Sequence, residues 1–200
     1  MFSGIVESIG RVVDIRRDRS NIDFTLECPF AGELKIDQSV AHNGVCLTVV
    51  KCDGKRYTVT AMKETLDRSN LSDWQLGTEV NLERSMKPDS LLDGHIVQGH
   101  VDQRGTCTNI EDADGSRYYT IEYDTAQGNI TVEKGSVAVN GVSLTVCNSE
   151  AGRFRVAIIP YTYDVTNFHA LQVGDRVNLE FDIIGKYIQK IAKVYLSSKA

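Results

Sequence analysis

Two short segments carry small polar side chains at the same spacing. NGVCLTV contains Cys46 and Thr48, and NGVSLTV contains Ser143 and Thr145. Because side chains alternate between the two faces of a β-strand, each pair shares one face, and a leucine and a valine share the other. Thiol and hydroxyl groups on one face can hydrogen-bond a ligand. An isolated Ser-x-Thr is usually a solvated strand face, but its recurrence after the same Asn-Gly turn favours two equivalent ligand pockets.

These segments belong to an internal repeat. SVAHNGVCLTV at 39–49 matches SVAVNGVSLTV at 136–146 at an offset of 97, and residues 39–83 share 20 identities with their counterparts over 45 positions. Earlier in each half, GIVESIG at 4–10 matches GHVDQRG at 99–105 at an offset of 95. The repeat predicts two similar domains, which we place at 1–93 and 94–186.

Each half has the pattern of an all-β unit. Short segments rich in β-branched residues alternate apolar and polar side chains, and Asn-Gly or Asp-Gly turns separate them. About six short strands per half suit a closed barrel, which leaves no strand edge exposed. The predicted strands include 46–50, 56–62, 79–84, 118–123, 153–159 and 176–181, and short helical turns are predicted at 63–70 and 160–167.

The C-terminal segment departs from this pattern. Ile184, Ile188, Ile191 and Tyr195 recur at spacings of four, three and four, which predicts a helix with one apolar stripe. Neither half of the repeat has an equivalent segment. We favour residues 187–200 as an oligomerisation helix that packs against its own copies. The alternative is a helix that lies across the barrels of its own chain.

Composition excludes several classes of function. The chain has 22 basic and 27 acidic residues, a net charge of −5, which disfavours nucleic acid as a partner. No apolar run reaches the roughly 18 residues that cross a membrane. Five cysteines without a C-x-x-C pair and four scattered histidines favour free thiols and no metal site. The N-terminus lacks the pattern of a signal peptide, so we expect a cytoplasmic protein.

Several strings together resemble the riboflavin synthase family, whose chains contain tandem lumazine-binding barrels. They are MFSGIVE at the N-terminus, the doubled NGVCLTV and NGVSLTV, MKETL (62–66), GHIVQGHVD (94–102) and IGKY (184–187). They occur in order over essentially the whole chain. The resemblance implies an all-β fold of two six-stranded Greek-key barrels plus a C-terminal helix.

The resemblance also implies an activity. The family converts two molecules of 6,7-dimethyl-8-ribityllumazine into riboflavin and 5-amino-6-ribitylaminouracil, and it uses no cofactor or metal. Each barrel binds one lumazine, and one lumazine gives a four-carbon unit to the other. The implied assembly is a homotrimer in which an N-terminal barrel faces a C-terminal barrel of a neighbouring chain. In some bacteria a lumazine synthase capsid encloses the trimer, which makes lumazine synthase a possible partner.

Motif by motif, the resemblance assigns two sets of substrate-binding residues. The N-terminal pocket receives Gly4, Ile5, Val6, Cys46, Thr48, Ala61, Met62, Glu64 and Thr65. The C-terminal pocket receives Gly99, His100, Val101, Lys134, Ser143, Thr145, Ile159 and Thr162.

Seven of the family's positions are associated with catalysis. His100 is the leading candidate for proton transfer, because an imidazole titrates near neutral pH. Cys46 is a candidate nucleophile or proton relay if its thiol pKa is lowered. Ser143 and Thr145 are expected to polarise the substrate ring. Ser39, Lys134 and Asp182 are expected to be polar supporting groups.

One residue of this chain departs from the family's usual sequence. Asn140 precedes Gly141 where family members often have Asp, so no essential carboxylate can act there.

Lumazine-binding antenna proteins keep the fold, bind a lumazine or a flavin and do no chemistry. They differ from the enzymes at pocket positions such as the SLT strand and the Gly-His pair. Because Cys46, His100, Ser143 and Thr145 are all present, the sequence favours the enzyme.

Overall fold

Twelve strands build two barrels in the part of the chain that the computed structural model describes, residues 1–197. The first barrel consists of β1 (Ser8–Asp18), β2 (Asn21–Glu27), β3 (Ser39–His42), β4 (Val45–Cys52), β5 (Arg56–Ala61) and β6 (Glu79–Arg84). The second consists of β7 (Gln103–Asp112), β8 (Arg117–Tyr123), β9 (Ser136–Val139), β10 (Val142–Glu150), β11 (Arg153–Ile158) and β12 (Arg176–Phe181).

Both barrels have the same topology. The first closes in the order β1-β2-β5-β4-β3-β6, and the second repeats it as β7-β8-β11-β10-β9-β12, with antiparallel neighbours throughout. In each barrel the second strand pairs with the fifth rather than the third, which gives a Greek-key arrangement. The predicted fold class, two six-stranded barrels and a C-terminal helix, is confirmed.

Alternating side chains fill the barrels. Tyr57 and Val59 on β5 and their counterparts Phe154 and Val156 on β11 are at most 1% exposed. These are the faces that the sequence pattern assigned to the core. Full burial of such a side chain stabilises the fold by about 1.5–3 kcal/mol. Each barrel has its own apolar core.

A short helix follows the fifth strand of each barrel, as predicted. The helices are α1 (Lys63–Arg68) and α2 (Pro160–Val165). A 3-10 turn follows each helix, Asn70–Asp73 in the first half and Asn167–His169 in the second.

Asparagines related by the repeat join the two barrels. The Asn81 side-chain amide donates to the carbonyl of Asn140 at 2.9 Å, and the Asn178 amide donates to the carbonyl of Asn43 at 2.9 Å. The Asn140 side-chain oxygen accepts the backbone N–H of Asn178 at 2.9 Å. A carboxylate oxygen could accept the same bond. Asn140, where the family often has Asp, therefore lies in the contact between the barrels.

The C-terminal helix α3 (Ile183–Ser197) begins before the predicted segment 187–200, and residues 198–200 lie outside the described part of the chain. None of its residues is buried, and Ile184, Ile188 and Ile191 are about 60% exposed. These three isoleucines of the apolar stripe are thus largely exposed in the single chain. Within residues 1–197, no helix combines the length and apolar character needed to span a membrane.

Candidate functional site

The two strands that carry the doubled motif face their polar side chains outward. On β4, Leu47 is buried, Cys46 is half-buried and Thr48 is exposed. β10 repeats this pattern with half-buried Ser143 and exposed Thr145. The alternation predicted from the sequence is therefore confirmed. Ser39 pairs with Thr48 across β3 and β4, which places a second hydroxyl beside the first pair.

A segment from the second half of the chain covers the polar strand of the first barrel. We call residues 98–101 the inter-barrel arm. The Cys46 N–H donates to the Gly99 carbonyl at 2.8 Å, and Val101 packs against the core of the first barrel. Gly99 has φ +82°, and a Cβ there would lie 2.6 Å from the Cβ of Cys46. Only glycine fits this approach without strain.

The N-terminal arm, residues 3–6, makes the reciprocal contact with the second barrel. The Ser143 N–H donates to the Gly4 carbonyl at 2.7 Å, and Val6 packs against the core of the second barrel. Gly4 has φ +78°, and a Cβ there would lie 2.6 Å from the Cβ of Ser143. Each arm thus lies on the barrel that the other half of the chain forms.

A pair of residues holds the two arms side by side. Phe2 and Val97 exchange two backbone hydrogen bonds, at 2.7 and 3.1 Å, and both side chains are at most 1% exposed. They are related by the offset of 95, so the contact lies near the pseudo-two-fold axis that relates the barrels. The arms cross over at this point.

The crossover corrects the grouping that the sequence predicted. Gly4, Ile5 and Val6 belong with Ser143 rather than Cys46, and Gly99, His100 and Val101 belong with Cys46 rather than Ser143. The repeat shows that the arms are equivalent, but it does not show which barrel each arm covers.

A cavity of about 320 Å³ lies under the inter-barrel arm. Six predicted site residues line it, namely Cys46, Glu64, Thr65, Gly99, His100 and Val101. Arg68 also lines the cavity and forms an ion pair with Glu64. His100 and Cys46, from different halves of the chain, therefore border one space.

The second barrel places an unpredicted histidine at its site. His95 Nδ1 lies 2.7 Å from Ser143 Oγ, and its Nε2 has no hydrogen-bond partner among the described residues. Burial lowers the pKa of His95, and the negative charge of Asp182 partly opposes this. At the offset of 95, His95 would match a position before Met1. The repeat therefore gave no signal for it.

The remaining predicted residues lie around the two polar strands. Met62 immediately precedes α1 and Ile159 immediately precedes α2, and both are exposed, as is Ile5. Ala61 is fully buried, so its side chain belongs to the core of the first barrel. Thr162 lies in α2, and its carbonyl accepts the hydroxyl of Thr166.

Lys134 lies beside the second barrel's polar strand, and Asp182 lies near enough to His95 to affect its pKa. The Lys134 N–H donates to the Val146 carbonyl at 3.0 Å, in a turn with φ +63°. Asp182 accepts the N–H of Ile184 at 2.8 Å, at the start of α3, and borders a separate cavity of about 210 Å³. Neither residue lines the cavity that contains His100.

No group of three or more His, Cys, Asp or Glu side chains within residues 1–197 is arranged to hold a metal ion. All five cysteines are free. Burial raises the pKa of Cys28 and of Cys107 to about 11, so both are protonated thiols at neutral pH.

Comparison with known proteins identifies the family of the chain. Residues 3–85 and 98–182 each match the family described as Lumazine binding domain. Riboflavin synthase of Actinobacillus pleuropneumoniae is 37% identical over 191 residues, which cover 95% of this chain and 89% of that protein. Riboflavin synthase of Mycobacterium tuberculosis is 40% identical over 199 residues, which cover 96% and 98%. The chain belongs to the riboflavin synthase family.

Solved structures support the family's fold. LumP complexed with 6,7-dimethyl-8-(1'-D-ribityl) lumazine superposes with a TM-score of 0.82 at 21% identity, and it covers 90% of this chain and 98% of LumP. LumP complexed with riboflavin gives 0.83 at 22% identity, with 90% and 99% covered. The two lumazine-binding matches begin at residues 3 and 98, where the arms begin. Each arm therefore belongs to the same lumazine-binding match as the barrel that follows it in the sequence, although it lies on the other barrel.

Proposed function

We propose that the protein is a riboflavin synthase. It converts two molecules of 6,7-dimethyl-8-ribityllumazine into riboflavin and 5-amino-6-ribitylaminouracil by transfer of a four-carbon unit. The observation that carries the proposal is the crossover of the arms in a chain whose relatives are riboflavin synthases over nearly its full length. It gives one chain two sites that are related by the repeat and differ in their polar side chains.

The two sites suit two copies of one ligand in different chemical states. At the first site, Cys46 and His100 border the cavity. At the second, Ser143 bonds His95 and lies under the N-terminal arm. A hydroxyl–imidazole pair in one site and a thiol in the other would give the two bound lumazines different polar surroundings.

The reaction depends mainly on the orientation of the two lumazine rings. The 7-methyl group of the lumazine is acidic because its carbanion delocalises over the ring system, so proton transfer by a group such as His100 suffices. Holding two rings at reacting distance can supply up to about 7–11 kcal/mol in the best intramolecular cases. Backbone N–H groups and the hydroxyls of Ser143 and Thr145 would stabilise the developing ring charge. The proposed reaction needs neither a metal nor a cofactor.

We propose that the active protein is a cytoplasmic homotrimer assembled through α3. The large exposed fractions of Ile184, Ile188 and Ile191 on this helix support self-association, since exposed apolar patches of this kind mark interaction surfaces. In the trimer, the first-barrel site of one chain would face the second-barrel site of a neighbour, which would bring two bound lumazines together. Enclosure by lumazine synthase is compatible with this arrangement.

The test is turnover with the lumazine as the sole substrate, followed by riboflavin absorbance near neutral pH. We expect continuous riboflavin formation. Stoichiometric binding of the lumazine without riboflavin formation would instead identify a non-catalytic lumazine- or flavin-binding antenna protein.

A further inference from the structure

A buried glutamate holds the inter-barrel arm. Glu180 lies on β12 of the second barrel and is 2% exposed. One carboxylate oxygen accepts the N–H of Gln98 at 2.7 Å, and the other accepts the N–H groups of Gly99 and His100 at 2.9 and 3.0 Å. Three consecutive backbone donors of the arm thus converge on one carboxylate.

The N-terminal arm is held in the same way. Glu83 on β6 of the first barrel is 8% exposed. One of its oxygens accepts the N–H and the hydroxyl of Ser3 at 2.7 and 2.9 Å, and the other accepts the N–H of Gly4 at 3.0 Å. Glu83 and Glu180 are identical residues at the offset of 97, so the device occurs twice in the chain.

Each glutamate therefore connects two barrels. Glu180 belongs to the second barrel, but the arm that it binds lies on Cys46 of the first barrel. Hydrogen bonds to a charged acceptor are stronger than those between neutral groups and fix the donors in place. The carboxylate thereby sets the position of the His100 backbone relative to the strand that carries Cys46.

The ends of the inter-barrel arm have other attachments. Val97 pairs with Phe2, and the N–H of Asp102 donates to the Leu179 carbonyl at 2.9 Å. The Asp102 carboxylate accepts the N–H of Phe181 and pairs with Lys186 of α3 at 2.8 Å. Loss of the Glu180 charge should therefore loosen residues 98–100 while the flanking residues stay in place.

We propose that Glu180 is a positioning residue that holds His100 at the first-barrel site, and that Glu83 is its counterpart for the N-terminal arm at the second-barrel site. Neither glutamate lines the cavity that contains His100. Glu180 acts on the reaction through His100. This role rests on the proposed riboflavin synthase activity, but the clamp itself can be measured without turnover.

The primary variant is Glu180→Gln, which keeps the shape and removes the charge. We expect backbone amide exchange at residues 98–100 to rise by about tenfold or more, because each amide loses a charged acceptor. Exchange at residues 3–4 should stay unchanged, and Glu83→Gln should give the reverse pattern. Glu122→Gln, the same change at an exposed position of β8, is the matched control and should alter neither arm.

Turnover separates positioning from a purely structural role. E180Q should lower kcat by roughly tenfold or more, with lumazine affinity changed by no more than about threefold, since misplacement of a reacting group costs rate rather than binding. In a His100→Ala background, E180Q should cause less than about a twofold further loss, because the two residues act as a unit. Should E180Q not fold, Glu180→Asp withdraws the carboxylate from the three N–H groups because its side chain is shorter, and it should give the same pattern.

Specific outcomes would overturn the proposal. Wild-type amide exchange at residues 98–100 in E180Q would show that the carboxylate does not hold the arm. Full additivity of E180Q and H100A would show that Glu180 does not act through His100. If the wild-type protein forms no riboflavin, the proposed function fails, and the exchange experiment alone decides whether the glutamates clamp the arms.

Discussion

The N–H of Cys46 donates to the carbonyl of Gly99 across a distance of 2.8 Å, although the two residues belong to different halves of the repeat. The equivalent bond, from Ser143 to Gly4, is 2.7 Å long. Two arms thus exchange places between two barrels. In the full chain, each barrel thus receives its arm from the other half.

Replacement of His100 by alanine tests its assignment as the proton-transfer group. We expect a fall in kcat of about 10²-fold or more, in the range typical of a lost general acid or base. Lumazine affinity, measured by fluorescence titration, should change far less. Equal losses of turnover and affinity would make His100 a binding residue only.

The close approach of Gly99 to Cys46 predicts a cost for any added side chain. Gly99→Ala would place a Cβ 2.6 Å from the Cβ of Cys46 in a backbone with φ +82°. The matched control is Gly54→Ala, where φ is +87° but no atom lies within 4 Å. The control should lose about 1 kcal/mol of unfolding free energy from backbone strain alone.

G99A should lose roughly 1–3 kcal/mol more than G54A, because the overlap adds to the strain. Urea unfolding of both variants measures the difference. Equal destabilisation would contradict the tight contact between the inter-barrel arm and the first barrel.

The strands of both barrels were predictable from the sequence. Alternation along Tyr57 and Val59, and along Phe154 and Val156, predicted the strands because burial of one face imposes a period of two. The doubled motif predicted the outward faces of Cys46 and Ser143 for the same reason.

The crossover itself was not predictable. Gly4 and Gly99 are equivalent whether each arm covers its own barrel or the other one, so the repeat is equally consistent with both arrangements. The choice depends on the pairing of Phe2 with Val97, a contact between residues far apart in the chain. His95 lies outside the repeat, and its role depends on a single bond to Ser143.

Burial of Glu180 predicts a characteristic pH dependence of stability. Burial raises its carboxyl pKa from 4.5 to about 6, although the N–H groups of the arm and Lys186 oppose the shift. The folded protein therefore binds this proton more tightly than the unfolded chain does. The resulting contribution to stability is fully present below pH 4.5 and is lost as the pH rises through about 6.

A carboxyl pKa of about 6 in the folded protein, in place of 4.5, corresponds to roughly 2 kcal/mol. The unfolding free energy of the wild-type protein, relative to that of E180Q, should therefore fall by roughly 2 kcal/mol as the pH rises from well below 4.5 to 7. Denaturant unfolding of both proteins at several pH values measures this. A difference that stays constant with pH would refute the raised pKa.

Removal of residues 187–200 tests the proposed assembly. The truncated chain keeps Lys186, and with it the ion pair to Asp102, but loses most of the apolar stripe of α3. We expect monomers by light scattering and poor riboflavin formation, because two sites from different chains would no longer meet. A truncated protein that still forms the full oligomer would exclude α3 as the assembly element.

The most direct test of the central claim is the stoichiometry of products from 6,7-dimethyl-8-ribityllumazine alone, in a buffer with a chelator and no added cofactor. The account predicts repeated turnover, with one riboflavin and one 5-amino-6-ribitylaminouracil formed for every two lumazines consumed. Tight binding of the lumazine with no riboflavin formed would contradict it.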